Sequence, residues 1–311
     1  MRIIYMGTPD FAVPALDALA KSEHDVVAVV TQPDKARDRG KKVQFTPVKE
    51  KALEFDIPVY QPEKVKTNEE FYQQLVELAP DLIVVAAYGK ILPVSILELP
   101  KYGCVNIHAS LLPKYRGAAP IHRAIINGDK TTGVTLMYMA EGMDTGDMIT
   151  KAETEIGLKT VEMMHEELAD MGAKLLMDTL PQLLSGTAPR EPQKEEEATH
   201  APMVFKQDGV LDYTRSADAL CCLVRGMNSW PVASTTYQGN VVKVWEAEAL
   251  DKNSDKEPGT VLSCDKTGLK VACAEGVINI TKLQFPGKRA MDVADYIKGN
   301  TIETGVILGG N

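Results

Sequence analysis

The chain has five cysteines, an odd number, and none of Cys104, Cys221, Cys222, Cys264 and Cys273 stands in a CxxC or other zinc-ligand spacing. This gives no support to a disulfide framework or a cysteine metal site, so the thiols are read as reduced packing groups. Long apolar runs are also missing. No stretch approaches the ~20 residues a membrane-spanning helix needs, and the start, MRIIYMGTPDF, lacks both a long apolar segment and a small-residue cleavage site. The expectation is a soluble, cytoplasmic protein. Positive charge is scarce too: 34 Lys and Arg against 43 Asp and Glu leave a formal charge of -9. That excludes coating nucleic acid through a global field, so any such contact has to be local. GxSxG, Walker A, HExxH and GxGxxG are absent, which argues against serine-hydrolase, P-loop, zincin and dinucleotide chemistry, and no metal is expected.

What is present is an ordinary globular composition, 44% hydrophobic and 25% charged over 311 residues, long enough for one large domain and a smaller one. The runs RIIYM (2–6), VVAVVT (26–31), DLIVVAAYG (81–89) and CVNIHA (104–109) are apolar and β-branched, and helical patterns such as NEEFYQQLVELA separate them. Strands alternating with helices imply right-handed crossovers, hence an α/β domain with a mostly parallel sheet. Residues 132–156 read as two strands joined by the turn EGMDTGD, and a helix is expected over about 160–184. The polar, proline-bearing stretch 185–206 reads as a linker. Beyond it, after the helical DALCCLVRGM, short strand-like runs with glycine turns suggest a small β-barrel, OB-like in size, over 207–311.

The segment GCVNIHASLLPKYRGAAPI, residues 103–121, concentrates chemistry. In a strand, Asn106 and His108 share a face, and they lie at the carboxyl end, where parallel α/β sheets bind ligands. An Asn amide can donate to a developing oxyanion, and a His can donate to the same oxygen or protonate a leaving nitrogen; the pair suits acyl transfer to an amine. A carboxylate is needed to orient the His, and Asp144 in EGMDTGD is the best-placed candidate. A lone His in an apolar strand is more often structural, Asp144 alone could be an ordinary turn residue, and Phe11 after GTPD is more often core than substrate contact. It is the combination that points to a site.

The run NIHASLLPKYRGAAPI, followed by GVTLMYMAEGMDTGDMI, closely resembles the formyltransferases that use 10-formyltetrahydrofolate. GTPDFA, QPDK with its basic loop, YGKILP, RGMNSWP and FPGKRAM extend the resemblance over essentially the full length. It implies a Rossmann-like formyltransferase domain (1–184), the linker (185–206) and an OB-like tRNA-binding domain (207–311). It also implies a folate-consuming transfer of a formyl group to the amino group of methionine on initiator tRNA. Asn106 and His108 would hold the oxyanion and Asp144 would hold the His and help take the amine's proton. Ser110, Leu111, Leu112 and Pro113 would form part of the folate pocket, with Tyr88, Leu92 and Met139 in walls at 88–92 and 139–144.

An acidic chain must hold tRNA through patches. Candidates are Lys35, Arg37, Arg39, Lys41 and Lys42 in KARDRGKKV, Lys206 at the linker end, and Lys288 with Arg289 in FPGKR; Lys266, Lys270 and Lys282 are further possibilities. From Gln207 onward, 11 Lys and Arg stand against 13 Asp and Glu, so bulk charge does not single out that region. A small amine acceptor, such as an amino-sugar nucleotide, is the competing substrate, because the catalytic motif does not choose the acceptor. No obligate protein partner is expected, and the chain is read as a monomer.

Overall fold

The computed structural model describes residues 1–37 and 42–309. In chain order, the first half runs β1 (Arg2–Gly7), α1 (Val13–Ala20), β2 (Asp25–Val30), the hairpin strands β3 (Lys35–Arg37) and β4 (Lys42–Gln44), and α2 (Pro47–Glu54). It continues through β5 (Val59–Tyr60), α3 (Glu69–Leu78), β6 (Leu82–Ala86), α4 (Val94–Leu97) and β7 (Cys104–His108). Then come α5 (Pro120–Ile126), β8 (Thr131–Tyr138), β9 (Met148–Glu155) and α6 (Val161–Ser185).

Seven of these strands form one sheet in the order β5-β2-β1-β6-β7-β8-β9. The pairs from β5 to β7 are parallel, and β8 runs antiparallel to β7. The β1 and β6 strands are almost wholly buried, as befits strands covered on both faces. Strand order reverses between β1 and β6, which puts a crevice at the carboxyl edge of the sheet. Local chemistry starts the helices: the Thr46 side chain accepts from Lys49 N–H ahead of α2, and Asn68 does the same for Phe71 N–H ahead of α3.

The chain divides into two compact units. The first gathers Met1–Ala118, Thr132–Thr154 and His165–Ala201, and the second gathers Ala119–Thr131, Glu155–Met164 and everything from Pro202 onward. After α6 the polar stretch is ordered along the first unit: Glu191 and Met148 exchange backbone hydrogen bonds at 2.9 and 2.8 Å, and Arg116 bridges His200.

The second unit contains α7 (Ala217–Gly226), whose first turn is capped by the Ser216 side chain. Its strands β10 (Ala233–Tyr237), β11 (Asn240–Leu250), β12 (Val261–Asp265), β13 (Gly268–Ala272), β14 (Val277–Gln284) and β15 (Met291–Asp292) make a six-stranded antiparallel sheet, followed by α8 (Val293–Tyr296). Leu220, Leu223 and Val224 of α7 pack with Val244, Val271, Ile278 and Ile280 from the sheet to form its core. Among the described residues no helix is long and apolar enough to cross a membrane.

Candidate active site

The end of β7 carries two of the candidate residues. Asn106 lies opposite Val85 of β6 and Met137 of β8, and His108 lies opposite Thr135 of β8. Alternation puts Asn106 and His108 on the same face. Asn106 is half-buried, and its amide has no hydrogen-bond partner among the described residues. It is therefore free to donate to a ligand.

His108 is buried between two acceptors. Its Nε2 lies 2.9 Å from the Tyr115 carbonyl oxygen, and its Nδ1 lies 3.6 Å from Asp144 Oδ2. A carbonyl oxygen only accepts, so Nε2 carries a proton, and Nδ1 is the nitrogen left to exchange one beside the carboxylate. The other partner of Asp144 Oδ2 is the Gly117 N–H, which donates at 2.8 Å.

These partners sit on unusual backbone. Tyr115 and Asp144 have φ of +63° and +53°, left-handed conformations that cost a non-glycine residue on the order of 1–3 kcal/mol. Gly117, at φ +121°, passes so close to the chain that a Cβ there would stand 2.9 Å from the Ala201 carbonyl oxygen. Two residues past Asp144, a Cβ on Gly146 would collide with the Tyr138 carbonyl.

The loop expected to frame folate is tied down by its own polar groups and by those of Thr135 and Lys151. Ser110 is fully buried and its hydroxyl donates to the Lys114 carbonyl at 2.6 Å. The Thr135 hydroxyl donates to the Ser110 carbonyl at 2.7 Å and accepts from Leu112 N–H at 3.0 Å, and Lys151 Nζ donates to the Leu112 carbonyl at 2.7 Å. Leu111 is half-buried and Pro113 buried, while Leu112 packs with Met137 and Met148. Tyr88, Leu92 and the partly buried Met139 belong to a different apolar cluster, with Val85, Ile96 and Cys104. Within the two expected walls the large apolar side chains that are exposed are Ile91 and Met143. The Tyr88 hydroxyl is buried without a partner among the described residues, and burial pushes its phenol up to about 12. Phe11 is buried, edge-on to His165 at 5.5 Å.

Four residues that shape the site, Arg116, Gln193, Glu195 and Thr199, were not singled out from sequence. Arg116 is 3% exposed; its Nη1 and Nη2 donate to both Glu195 carboxylate oxygens at 3.0 and 2.9 Å, and its Nε donates to Gln193 Oε1 at 2.9 Å. The Arg116 guanidinium holds the Glu195 carboxyl below the usual carboxylate range. Gln193 Nε2 in turn donates to the carbonyls of Asp144 and Gly146, at 2.8 Å each. Tyr115 N–H donates to the Thr199 hydroxyl at 2.9 Å, and Arg116 N–H donates to the Thr199 carbonyl at 2.9 Å. An arginine in a loop and a glutamine in an acidic, proline-bearing stretch carry no periodic signal.

Of the basic candidates, Lys35, Arg37 and Lys42 fall on the backbone of the β3–β4 hairpin, while Arg39 and Lys41 lie outside the described residues. The base of the hairpin is anchored by Lys49, which pairs with Asp34, donates to Gln61 at 2.8 Å and lies 4.0 Å over the Phe45 ring. Burial raises the Asp34 carboxyl, but hydrogen bonds from Lys49 and Gln61 and the charge of Lys49 outweigh it and hold the group below the usual range. In the second unit Lys206, Lys266, Lys288 and Arg289 are exposed with side chains unpartnered among the described residues, whereas Lys270 pairs with Asp265 and Lys282 with Glu246, both at 3.0 Å. No cluster of His, Cys, Asp or Glu among the described residues could hold a metal ion.

The model of the family described as formyl transferase matches residues 1–180, and that of the formyl transferase C-terminal domain matches 203–301. Methionyl-tRNA formyltransferase of Clostridioides difficile is 50% identical over 310 residues, covering 99% of this chain and 100% of that protein. Its counterpart from Acetivibrio thermocellus is 52% identical over 311 residues, covering 99% and 100%. Among solved structures, an N-formyltransferase from Helicobacter canadensis in complex with folinic acid and dTDP-3-aminofucose has a TM-score of 0.68 at 18% identity, covering 89% of this chain and 98% of that one. HypX from Aquifex aeolicus in complex with tetrahydrofolic acid gives 0.61 at 18% identity, covering 96% and 47%. At such identities the likeness is one of fold.

Proposed function

The chain belongs to the formyl transferase family, and on that premise we propose that it transfers the formyl group of 10-formyltetrahydrofolate to the amino group of methionyl initiator tRNA in the cytoplasm. The observation that carries this is identity of about half the residues, end to end, with methionyl-tRNA formyltransferases. The edge of the parallel sheet supplies groups that fit the folate substrate: a free Asn106 amide and the exposed apolar side chains of Ile91 and Met143. A flat ring with polar edges suits such a lining. Ser110, Leu111, Leu112 and Pro113 contribute the loop that frames it.

The amine nitrogen attacks the formyl carbon, a C–N bond forms, and the carbonyl electron pair moves onto oxygen. The Asn106 amide and His108 stabilise that oxyanion. Collapse breaks the bond to N10 of the folate and leaves its electron pair on that nitrogen. One proton leaves the amine and one arrives at N10, so the site moves a single proton with no net uptake. His108 Nδ1, 3.6 Å from Asp144 Oδ2, is the exchanging atom. The carboxylate stabilises the charged imidazole while it waits.

The acceptor is held by patches. Lys35, Arg37, Arg39, Lys41 and Lys42 would bind the acceptor stem, and Lys206 at the linker end with Lys288 and Arg289 of the OB-like tRNA-binding domain over 207–311 would add to it. Residues 1–184 form the catalytic domain in this reading, with 185–206 joining the two. The working form is a monomer without a metal.

The test is a formylation assay with 10-formyltetrahydrofolate and, in parallel, methionyl initiator tRNA, methionyl elongator tRNA and small amines including an amino-sugar nucleotide. Selective formylation of the initiator supports the acceptor. Turnover of a small amine with no tRNA product rules the acceptor out and leaves the folate chemistry standing.

A further inference from the structure

Asp144 sits in a turn poorly equipped to hold itself. Its own φ is positive, Gly142 and Gly146 flank it at two residues' distance, and neighbouring Met143 is exposed. The contact from the catalytic loop, Gly117 N–H to Oδ2 at 2.8 Å, binds the carboxylate but does not orient the peptide planes that aim it.

We infer that Gln193 is a positioning residue for formyl transfer: its amide N–H groups, donated to the carbonyls of Asp144 and Gly146, set the turn that aims the Asp144 carboxylate at His108. Its two carbonyl acceptors lie two residues apart on the turn, each at 2.8 Å, so the pair of bonds resists rotation where a single bond would allow it. The amide cannot flip without loss, because buried Arg116 donates to Gln193 Oε1 at 2.9 Å and is itself locked by both oxygens of Glu195. The same strap steadies the other partner of the imidazole. Thr199 accepts from Tyr115 N–H, and the Tyr115 carbonyl receives His108 Nε2. Both sides of His108 are thus referred to one piece of chain, residues 193–199. The matches to the two family models end at 180 and resume at 203, leaving this strap outside both. Resting on the role given above to Asp144, the inference adds the group that makes that role geometrically possible.

The experiment uses the full chain and compares Gln193→Ala, Asp144→Ala, the double variant and, as a control, Lys194→Ala, an exposed neighbour whose partner is Glu197. Gln193→Ala is expected to lower kcat by roughly 10- to 100-fold with KM for either substrate moved by less than about threefold, the pattern of a misaimed reacting group. In the Asp144→Ala background the same change is expected to cost less than about twofold, since the group it aims is gone. An equal factor in both backgrounds, or a loss confined to KM, overturns the inference while leaving the role of Asp144 intact. An Asp144→Ala variant with unchanged kcat instead removes that role, and the inference falls with it. Should Gln193→Ala fail to fold, Gln193→Glu keeps the volume and the Arg116 contact but replaces the donors with oxygen, and full activity in that variant is equally fatal.

Discussion

Strand β7 and the turn around Asp144 solve the same problem, holding a polar side chain in a fixed place, in opposite ways. Asn106 and His108 are placed by the strand itself: pairing with β6 and β8 sets their height, and alternation sets their face. Asp144 is placed by contacts from far along the chain, Gly117 and Gln193, with its own backbone in a left-handed conformation. The strand supplies rigidity from regular hydrogen bonds and burial. The turn supplies the angle a strand cannot reach, and depends on others to keep it.

The sharpest way to break the comparison is on the strand side. His108→Ala is expected to lower kcat by about 10³-fold, and Asn106→Ala by roughly 10²- to 10³-fold, with thermal melting nearly unchanged for Asn106→Ala because its amide has no protein partner among the described residues. A large stability loss in Asn106→Ala would show that the strand, too, leans on that side chain.

On the turn side, Gly117→Ala meets both a positive φ and the Ala201 carbonyl. A destabilisation of about 1–3 kcal/mol in urea unfolding should come with a fall in kcat, because stability and aim share this contact. Lys49→Met probes a third arrangement, the anchored hairpin base. Loss of the Asp34 pair and the Gln61 bond should cost about 2 kcal/mol at neutral pH. Asp34 is held below its ordinary range in the folded protein, so its contribution is present above the unfolded value near ~4 and disappears as pH falls through the lower folded value. Wild type and Lys49→Met should therefore converge in stability on acidification; a gap that persists at low pH would assign the effect to packing on Phe45.

The smallest effect is expected at the exposed patch. Lys288→Ala with Arg289→Ala should weaken tRNA binding evenly across sequences and reduce the dependence of log affinity on log salt by about one per lost phosphate contact. Both side chains lack partners in the second unit among the described residues, so melting should not move.

The parallel sheet was readable because its strands are buried on both faces, leaving continuous apolar runs at 2–6, 26–31 and 82–86 with helices between. The antiparallel second unit was readable from short strands and glycine turns; Asn240–Leu250 matches the run NVVKVWEAEAL residue for residue. Periodicity also pointed to Asn106 and His108, two residues apart on one strand. The need for a carboxylate beside the His pointed to Asp144 in its glycine-flanked turn, and resemblance to a family supplied what neither periodicity nor chemistry could, the acceptor. Tyr88 and Leu92, expected as walls, have side chains buried in an apolar cluster, while Ile91 between them is exposed.

By itself the sequence determined the sheet and the shared face of Asn106 and His108, because each of these follows from neighbours within a few positions. Only the tertiary structure decided that His108 Nε2 meets the Tyr115 carbonyl while Nδ1 faces Asp144, and that residues 193–199 hold both of these partners. Those contacts join positions 108, 115, 144 and 193 through isolated polar contacts between the end of a strand and irregular segments, and such contacts leave no repeat for the sequence to display.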